Sequence, residues 1–321
     1  MNVKSDFNGT RCVVTGGAGV IGKELLSILQ ASHCPVLSID KNPLPEGFNS
    51  TGITHIVKDL AIDSLDEIDE FRPEIFFHLA AAFGRSKESP DFWEVNWKDN
   101  TLLSHRTTDA ARRIDSLRVF VFASSYLIYS TALYMSGALR HDPVYLKENS
   151  PVYPRNITGA SKYYTEKELD FIREYFRPEL RTVCARIYRV YGRGSKDVIS
   201  RWVRAALNND PLEVYNKDNR FDYIYARDVA EGLYRLAMAE EAEGIVNLGS
   251  GKSHSVDDVL NTIFSFNNVK IIDRGRTEDY ENSAADIGLL RNLTKWQPPT
   301  TLSEGIGQIV RYEREVSKSA L

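Results

Sequence analysis

Residues 11–22, RCVVTGGAGVIG, join a short apolar run to regularly spaced glycines. The run 11–15 is rich in β-branched residues, which predicts a buried strand. Gly16, Gly19 and Gly22 recur every third residue, and the segment 23–31 after them has the apolar spacing of a helix. This segment therefore predicts a strand, a tight glycine turn and a helix in direct succession.

Such a turn is suited to binding a pyrophosphate, because glycines let backbone amides approach the anion and the helix N-terminus adds partial positive charge. The next predicted strand, 36–40, ends in Asp40, 18 residues after Gly22. A carboxylate there accepts hydrogen bonds from ribose hydroxyls and repels a 2′-phosphate, so we predict NAD rather than NADP. Lys41 either softens this discrimination or is a solvated lysine. The alternative for the whole segment is a structural turn with a surface Asp40.

Apolar strands and helical segments alternate along the chain up to about residue 191, which predicts a parallel sheet covered on both faces. Further strands are predicted at 55–59, 75–79, 119–125, 181–188, 212–216 and 245–249, and further helices at 93–113, 161–176, 198–207 and 255–264. The predicted fold class is α/β, a doubly wound parallel sheet with a smaller discontinuous α/β cap. We assign 1–185 and 220–250 to the dinucleotide-binding domain, and 186–219 and 251–321 to the substrate-binding cap.

The composition excludes several classes of protein. The chain has 321 residues, 42% hydrophobic and 26% charged, which is globular rather than disordered. Its net charge of -4 argues against a dedicated nucleic-acid binder. No apolar run reaches the ~18 residues of a membrane span. Because no such run is found, we expect a cytoplasmic protein. The three cysteines lack metal-ligand spacing, so we expect no metal site.

Several ordered motifs resemble those of the extended short-chain dehydrogenase/reductases that modify nucleotide sugars, and the resemblance covers nearly the whole chain. Besides the glycine loop, the matching segments are Asp59-Leu60, His78-Leu79-Ala80-Ala81, Asn96, Val121 to Ser125 with Ile128-Tyr129, Gly159 to Lys162, Arg186 to Gly192, Arg220 to Ala230, Asn247 to Gly251, Asp286 and Trp296 to Pro298.

The resemblance implies a Rossmann-type sheet, NAD as cofactor, a nucleotide-diphosphate sugar as substrate and a homodimer. The implied cofactor contacts are Gly16, Gly19, Val20, Ile21, Gly22, Asp40, Lys41, Asp59, Leu60, Leu79, Ala80, Ala81, Asn96, Ser124, Lys162 and Tyr188. The implied substrate contacts are Ser125, Arg189, Arg220 and Arg276. The dimer would use helices 93–113 and 161–176; the alternative for their apolar side chains, such as Trp97, Tyr164, Leu169 and Phe171, is ordinary core.

The chain departs from this family at the residue that takes the proton. In the family, a tyrosine four residues before the lysine accepts a proton from a sugar hydroxyl while hydride moves to NAD. Here Thr158 stands four residues before Lys162, and an alcohol is a far weaker acid than a phenol. We keep Ser125, Thr158, Lys162 and Tyr126 as candidate catalytic residues, with His141 as another candidate base. The departure is also compatible with a reaction that needs no strong base, or with a lost activity.

The residues after Ser125 bear on the reaction type. Family 4,6-dehydratases carry Asp-Glu there, and decarboxylation also expects a glutamate, whereas this chain has Tyr126 and Leu127. Removal and return of one hydride needs neither acid, so the resemblance favours a 4-epimerase. The alternatives are a catalytically silent protein that binds NAD and a nucleotide sugar, and a keto-sugar reductase or dehydratase.

Arg189 occupies a position where the family motif has asparagine. An arginine can clamp a phosphate or carboxylate with a bidentate fork, which suggests an acidic sugar or a shifted diphosphate. The alternative is a structural arginine paired with a neighbouring Asp or Glu.

Overall fold

The computed structural model describes residues 8–82, 90–275 and 279–319. In chain order, its strands are β1 (Cys12–Thr15), β2 (Val36–Asp40), β3 (Ile53–Val57), β4 (Ile75–His78), β5 (Val119–Ser125), β6 (Met135–Ser136), β7 (Val144–Leu146), β8 (Arg181–Ile187), β9 (Arg189–Tyr191), β10 (Leu212–Val214), β11 (Arg220–Tyr225), β12 (Gly244–Leu248), β13 (Ser253–Ser255), β14 (Ile271–Asp273), β15 (Tyr280–Glu281) and β16 (Ser283–Ala285).

The helices alternate with these strands. They are α1 (Val20–Ala31), α2 (Asp66–Phe71), α3 (Pro90–Asn96), α4 (Leu103–Ala111), α5 (Ile157–Phe171), α6 (Val198–Leu207), α7 (Ala226–Met238), α8 (Val256–Phe264), α9 (Gly288–Thr294) and α10 (Leu302–Ser319). A π-helical segment, Trp97–Leu102, joins α3 to α4, and another, Ile172–Phe176, extends α5. Short 3₁₀ turns, Tyr126–Ile128 and Thr131–Leu133, follow β5.

Seven strands form one parallel sheet in the order β12-β8-β5-β4-β1-β2-β3. β1 lies between β2 and β4, with Cys12 opposite both Val36 and Ile75. After β1, the chain first adds β2 and β3 on one side of it and then β4, β5, β8 and β12 on the other. A crevice opens at the carboxyl ends of β1 and β4, where ligands bind in open α/β sheets. The predicted doubly wound parallel sheet is confirmed.

Helices cover both faces of this sheet. On one face, Val14 of β1 packs with Leu25 of α1 and Leu233 of α7 in one hydrophobic cluster. On the other, Val13 packs in a second cluster with Leu103 of α4 and Leu169 of α5. Because both faces are buried, the central strands are continuously apolar rather than alternating.

The smaller cap has its own core, in which α6, α8 and α10 surround the strands β9, β10, β11 and β13. β11 pairs with β9 and β13, and its Phe221, Tyr223 and Tyr225 pack in the cap core, although the sequence assigned residues 220–225 to the dinucleotide-binding domain. Ile224 of the same strand packs in the cluster of the central sheet. Conversely, Leu290 of α9 joins the cluster of the central sheet. Strand pairing is a tertiary contact, so apolar periodicity alone does not reveal either exchange.

The helix predicted over 93–113 differs in detail from the structure, because its middle turn, Trp97–Leu102, is π-helical. A single wider turn leaves the apolar spacing nearly unchanged, so the sequence pattern does not show it. Within the described ranges, no helix is long and apolar enough to cross a membrane.

Candidate active site

The glycine loop lies at the carboxyl end of β1. Gly16 has φ +77°, and a Cβ there would lie 2.7 Å from the backbone nitrogen of Ala80. Only glycine therefore lets the loop approach the chain that leaves β4. Gly19 is the N-cap of α1, so the first amides of the helix, beginning at Val20 and Ile21, point towards the loop without a capping side chain. Such free amides form an anion site.

Asp40 lies at the end of β2 and faces this loop. Its Oδ2 accepts a hydrogen bond from the amide of Ala18 (3.1 Å), and its Oδ1 accepts one from the amide of Asn42 (2.9 Å). The carboxylate is therefore fixed beside the glycine turn. The Lys41 ammonium lies 2.6 Å from Oδ2 of Asp99 rather than beside Asp40.

A cavity of about 200 Å³ lies over the carboxyl ends of β1, β2 and β4. Its lining residues are Gly16, Ala18, Gly19, Asp40, Lys41, Asn42, Lys58, Asp59, Leu60, Leu79, Ala80, Ala81, Asp99 and Leu103. Nine of the sixteen predicted cofactor contacts are in this set. Gly22, Val20 and Ile21 belong to α1 directly beneath it.

The Asp59 carboxylate is held at the side of the cavity. It accepts hydrogen bonds from the amide of Ala61 (3.0 Å) and from Nζ of Lys98 (2.7 Å). The hydrogen bond from Lys98 lowers the pKa of Asp59 below its usual range. The side chain therefore stays ionised at the edge of this cavity.

His78 is fully buried at the carboxyl end of β4. Its Nδ1 lies 2.7 Å from the hydroxyl oxygen of Thr15, and its Nε2 lies 3.0 Å from that of Ser104. Burial, with a smaller effect of the Lys162 charge, lowers the pKa of His78 to about 3. The imidazole is therefore neutral at physiological pH, and both its nitrogens are already engaged.

Ser125 ends β5, where the 3₁₀ turn 126–128 begins. Its Oγ accepts a hydrogen bond from the amide of Leu127 (3.2 Å). The first turn of α5 packs directly on this 3₁₀ turn, because a Cβ at Gly159 would lie 2.5 Å from the carbonyl oxygen of Leu127. The Asn156 side chain caps α5 by accepting a hydrogen bond from the Gly159 amide (2.9 Å). The fold thus brings the end of β5 against the start of α5.

Thr158 and Lys162 follow on α5, one turn apart and therefore on one face of the helix. Both are buried, with exposed fractions of 5% and 7%. The Lys162 ammonium lies 4.7 Å from the centre of the Phe122 ring on β5. Burial alone lowers the pKa of Lys162 to about 8, so a substantial fraction of the amine is uncharged at mildly basic pH.

Tyr126 points into the protein. Its ring stacks on that of Tyr188 with centroids 4.9 Å apart, and both side chains are buried. Burial raises the pKa of Tyr126 to about 12, and burial also raises the pKa of Tyr188 well above its usual value. A phenol with so high a pKa is a poor proton acceptor near neutral pH.

The Ser124 hydroxyl is used inside the protein. It donates to Oε1 of Glu166 (2.6 Å), and both oxygens of Glu166 are bound by the Arg186 guanidinium, at 3.0 and 2.7 Å. Both charged side chains are 1% exposed. The pair connects β8 to α5 and fixes the helix that carries Lys162.

A second cavity, of about 550 Å³, lies in the cap. Its lining residues are Leu139, Arg140, His141, Asn216, Lys217, Asp218, Arg220, Ser255, Asp257, Asp273 and Gly275. The predicted substrate contact Arg220 is among them; its guanidinium donates to the carbonyl of Ser253 (3.1 Å) and lies 3.7 Å from Asp258. His141 is exposed at this cavity. Arg276, also predicted to contact substrate, lies outside the described residues.

Arg189 pairs with an acid of its own chain. Its guanidinium lies 3.7 Å from the ring centre of Phe221 and 3.5 Å from the Glu281 carboxylate. Glu281 is 2% exposed and also accepts a hydrogen bond from Arg155 (2.6 Å). Of the two interpretations of Arg189, this geometry supports the arginine paired with a neighbouring glutamate.

Comparison with known proteins places this arrangement in a family. The model of the NAD dependent epimerase/dehydratase family matches residues 12–249. The chain belongs to this family. A UDP-glucose 4-epimerase of Mycolicibacterium smegmatis is 27% identical, over 96% of this chain and 100% of the relative. A UDP-N-acetyl-alpha-D-glucosaminuronate decarboxylase of Bacillus cytotoxicus is 24% identical, over 95% of this chain and 98% of the relative.

Among solved structures, MoeE5 in complex with UDP-glucose and NAD has a TM-score of 0.82. The two chains are 24% identical, and the match covers 96% of this chain and 99% of the MoeE5 chain. At this identity, the likeness shows the shared fold.

The epimerase/dehydratase family uses NAD, so the predicted cofactor is confirmed. The described residues fit that cofactor on geometric grounds. Gly16 lets the glycine loop lie directly against Ala80, where a side chain would collide with the backbone, α1 offers its free amides, and Asp40 would be placed to bind ribose hydroxyls. NAD bound there would supply reversible hydride transfer.

Four predicted cofactor residues, Asn96, Ser124, Lys162 and Tyr188, are neither in the lining of the 200 Å³ cavity nor on α1. Asn96 is buried between helices, where its Oδ1 accepts hydrogen bonds from Asn100 (2.7 Å) and Ser161 (3.2 Å). Ser124 is bound to Glu166, and Tyr188 is stacked under Tyr126. For these residues, contact with NAD stays a prediction.

The structure also adds residues that the sequence did not single out. Asn100, in the π-helical segment, accepts a hydrogen bond from the Ala82 amide (2.8 Å) and donates one to the Ala82 carbonyl (3.0 Å). It thereby fixes the chain just beyond Leu79–Ala81. Asp99 holds Lys41. A π-turn is a frequent mark of functional sites, but apolar periodicity does not detect it.

Proposed function

We propose that the protein catalyses NAD-dependent C4 epimerisation of a nucleotide-diphosphate sugar through a transient 4-keto intermediate. The observation that carries the proposal is the end of β5, where Ser125 is followed by two residues without a carboxylate. Tyr126 packs inward against Tyr188, and Lys162 approaches from α5. This set can bind a sugar hydroxyl and transfer one proton, which epimerisation requires. Dehydration would need a further acid and base.

The two cavities support a two-part ligand set. The cavity beside Asp40 suits the dinucleotide, and the cap cavity carries Arg140, Lys217 and Arg220, which suit a diphosphate. The M. smegmatis relative is named for UDP-glucose, and the MoeE5 structure contains UDP-glucose, which supports a uridine nucleotide. We infer a neutral sugar, because Glu281 already pairs with Arg155 and Arg189.

The test is interconversion of UDP-glucose and UDP-galactose by the purified protein with NAD, followed by chromatography of the nucleotide sugars. We expect each sugar to be converted to the other, and both reactions to reach the same final ratio of the two sugars. The absorbance near 340 nm should show no net change. A net gain of NADH, or loss of carbon dioxide from a uronic acid substrate, would contradict epimerisation and indicate another reaction of the family.

The silent binding protein is the second candidate, favoured by Thr158 and by the burial of Tyr126. It predicts that NAD and UDP-sugars bind, measured by calorimetry, while no panel sugar is converted or reduces NAD. Product from any of the UDP-, GDP-, CDP- or dTDP-sugars would exclude it.

We also propose a homodimer through the outer faces of α3, the segment Trp97–Leu102, and α5. This surface exposes large apolar side chains, namely Trp93, Trp97, Tyr164, Phe171, Tyr175 and Phe176. Leu169, which the sequence grouped with them, is 1% exposed and belongs to the core. Such a contiguous apolar surface is typical of an interface. Sedimentation should give twice the monomer mass, and Trp97→Glu with Phe171→Glu should give the monomer.

A further inference from the structure

Position 158 carries a threonine rather than a tyrosine. The group that accepts the proton of the sugar hydroxyl must therefore be another residue. Tyr126 is buried and stacked, and its pKa is raised to about 12. His78 is neutral, but Thr15 and Ser104 occupy both its nitrogens, and its pKa of about 3 makes it a very weak base. Neither group accepts a proton effectively near neutral pH.

Lys162 differs from both. It is 7% exposed, and its Nζ rests on the face of Phe122 at 4.7 Å. Among described residues, no carboxylate forms a salt bridge with it, and burial is the cause that lowers its pKa. A buried lysine without a counterion is readily deprotonated.

Among the described residues, several charged groups on α5 and on the elements packed against it are already committed to other partners. Glu166 is bound by Arg186 and Ser124, and Asp99 is bound by Lys41. Glu168 is bound by His105 and Thr108. Burial keeps His78, Tyr126 and Cys184, which also lie on elements next to α5, in their neutral forms near neutral pH. None of these contacts competes for the amine of Lys162.

From this geometry we infer that the uncharged amine of Lys162 itself accepts the proton of the substrate hydroxyl and returns it. The inference rests on the proposed function, and it names the acceptor for that reaction. In the forward step, the O–H bond of the sugar breaks and an N–H bond forms on Nζ. Bound NAD would be the oxidant that takes the C4 hydride as the hydroxyl becomes a ketone, and would give the hydride back to the opposite face. The Lys162 ammonium returns its proton to the sugar oxygen in the reverse step, so protons and electrons balance over the cycle.

The first experiment compares variants of the NAD-loaded protein. Lys162→Arg keeps a positive charge but cannot lose a proton near neutral pH. We expect it to lose about 10²- to 10⁴-fold in kcat at saturating NAD. Because Lys162 is also a predicted cofactor contact, the variant's NAD affinity is measured separately by calorimetry. A lysine that acts through its charge alone predicts instead that the arginine variant retains most of the activity. The matched control is Lys167→Arg on the same helix, which should be unchanged because Lys167 is exposed and paired with Asp170.

Chemical rescue tests the same point with a different readout. The truncation Lys162→Ala should regain activity in proportion to the concentration of free ethylamine, and tetramethylammonium, a cation that accepts no proton, should restore none. Equal rescue by both would mean that only positive charge is needed, and would overturn the inference.

A titration without turnover separates this inference from the proposed function. With ¹³C-labelled lysine and NAD bound, the Lys162 Cε signal, assigned through Lys162→Arg, should titrate with a midpoint near 8. A midpoint at the ordinary value near ~10.4 would overturn the assignment even if the protein is an epimerase. If no sugar is converted while the midpoint is near 8, the proposed function and the acceptor role that rests on it both fail, and only the lowered pKa of Lys162 is retained.

Discussion

The Asp40 carboxylate performs two tasks at the end of β2. It holds the Ala18 amide of the glycine loop and presents its charge to the cavity where a ribose would lie. Its neighbour Lys41 is turned to Asp99, so the cation that the sequence placed beside it is engaged elsewhere. We therefore expect the choice between NAD and NADP to depend chiefly on Asp40.

Asp40→Asn should weaken NAD binding about tenfold, because a charged hydrogen-bond acceptor is lost at the ribose. It should strengthen NADP binding, because the repulsion of a 2′-phosphate disappears. Calorimetric titration with both dinucleotides measures each effect. Asp66→Asn, on the exposed side of α2, is the control and should change neither affinity. An unchanged NAD to NADP ratio in Asp40→Asn would show that another residue sets the preference.

Glu281 is a single carboxylate shared by two arginines from distant parts of the chain. Glu281→Gln should lower the free energy of unfolding by ~2–3 kcal/mol, because Arg155 and Arg189 would keep their charges without a counterion in a partly buried place. Urea denaturation measures this. Glu213→Gln, whose partner Arg274 is exposed, should cost at most ~1 kcal/mol. Equal effects of the two variants would contradict the assigned role.

At the scale of elements, the start of α5 and the 3₁₀ turn 126–128 form one unit. The amide of Arg155 donates to the carbonyl of Leu127 (2.8 Å), and Gly159 packs against the same carbonyl. The position of Lys162 relative to Ser125 therefore depends on how closely these two elements approach.

Gly159→Ala should push α5 away from the turn, because the added methyl would lie 2.5 Å from the Leu127 oxygen. We expect kcat to fall at least tenfold while NAD affinity changes little, since the dinucleotide cavity is formed by other elements. Steady-state kinetics and calorimetry measure the two quantities. Gly307→Ala on α10, where the nearest atom to a Cβ lies at 3.5 Å, should leave kcat unchanged and stabilise the helix slightly.

The elements differ in how well the sequence predicts them. The run 11–15, the glycines and Asp40 predict one strand, turn and helix, and the structure has them because local spacing determines all three. The π-helical turn around Asn100 adds little to the apolar pattern, and the salt bridge of Arg189 with Glu281 joins residues far apart in the chain. Both depend on tertiary contacts, so residue spacing could not reveal them.

At the scale of the whole molecule, His78 connects the sheet to α4 through buried hydrogen bonds to Thr15 and Ser104. In the unfolded chain, an imidazole gains a proton near pH 6.5, whereas burial delays this to about pH 3 in the folded protein. Between these values the unfolded state binds one more proton. The stabilising contribution is complete above pH 6.5 and is lost progressively as the pH falls.

From pH 6.5 to pH 5, this residue alone should lower the free energy of unfolding by about 2 kcal/mol. Urea denaturation at several pH values should show the slope in the natural chain and a shallower slope in His78→Gln, whatever the absolute stability of that variant. The exposed His141 provides the control, because His141→Gln should keep the original slope. An unaltered slope in His78→Gln would assign the acid sensitivity to other groups.

The two cavities are encoded in separate stretches of the chain, which bears on synthesis by the ribosome. Every residue that lines the dinucleotide cavity comes before residue 104, whereas the cap cavity is lined by residues 139–275. Its loop at Leu139–His141 lies between β6 and β7, whose partner strands β15 and β16 emerge still later. A nascent chain thus contains the residues that line this cavity before the cap can close, whereas the predicted cofactor contacts Ser124, Lys162 and Tyr188 emerge later. We therefore expect only the part of the cofactor site formed by residues 16–103 to be present early in translation, while sugar capture must await nearly the entire polypeptide.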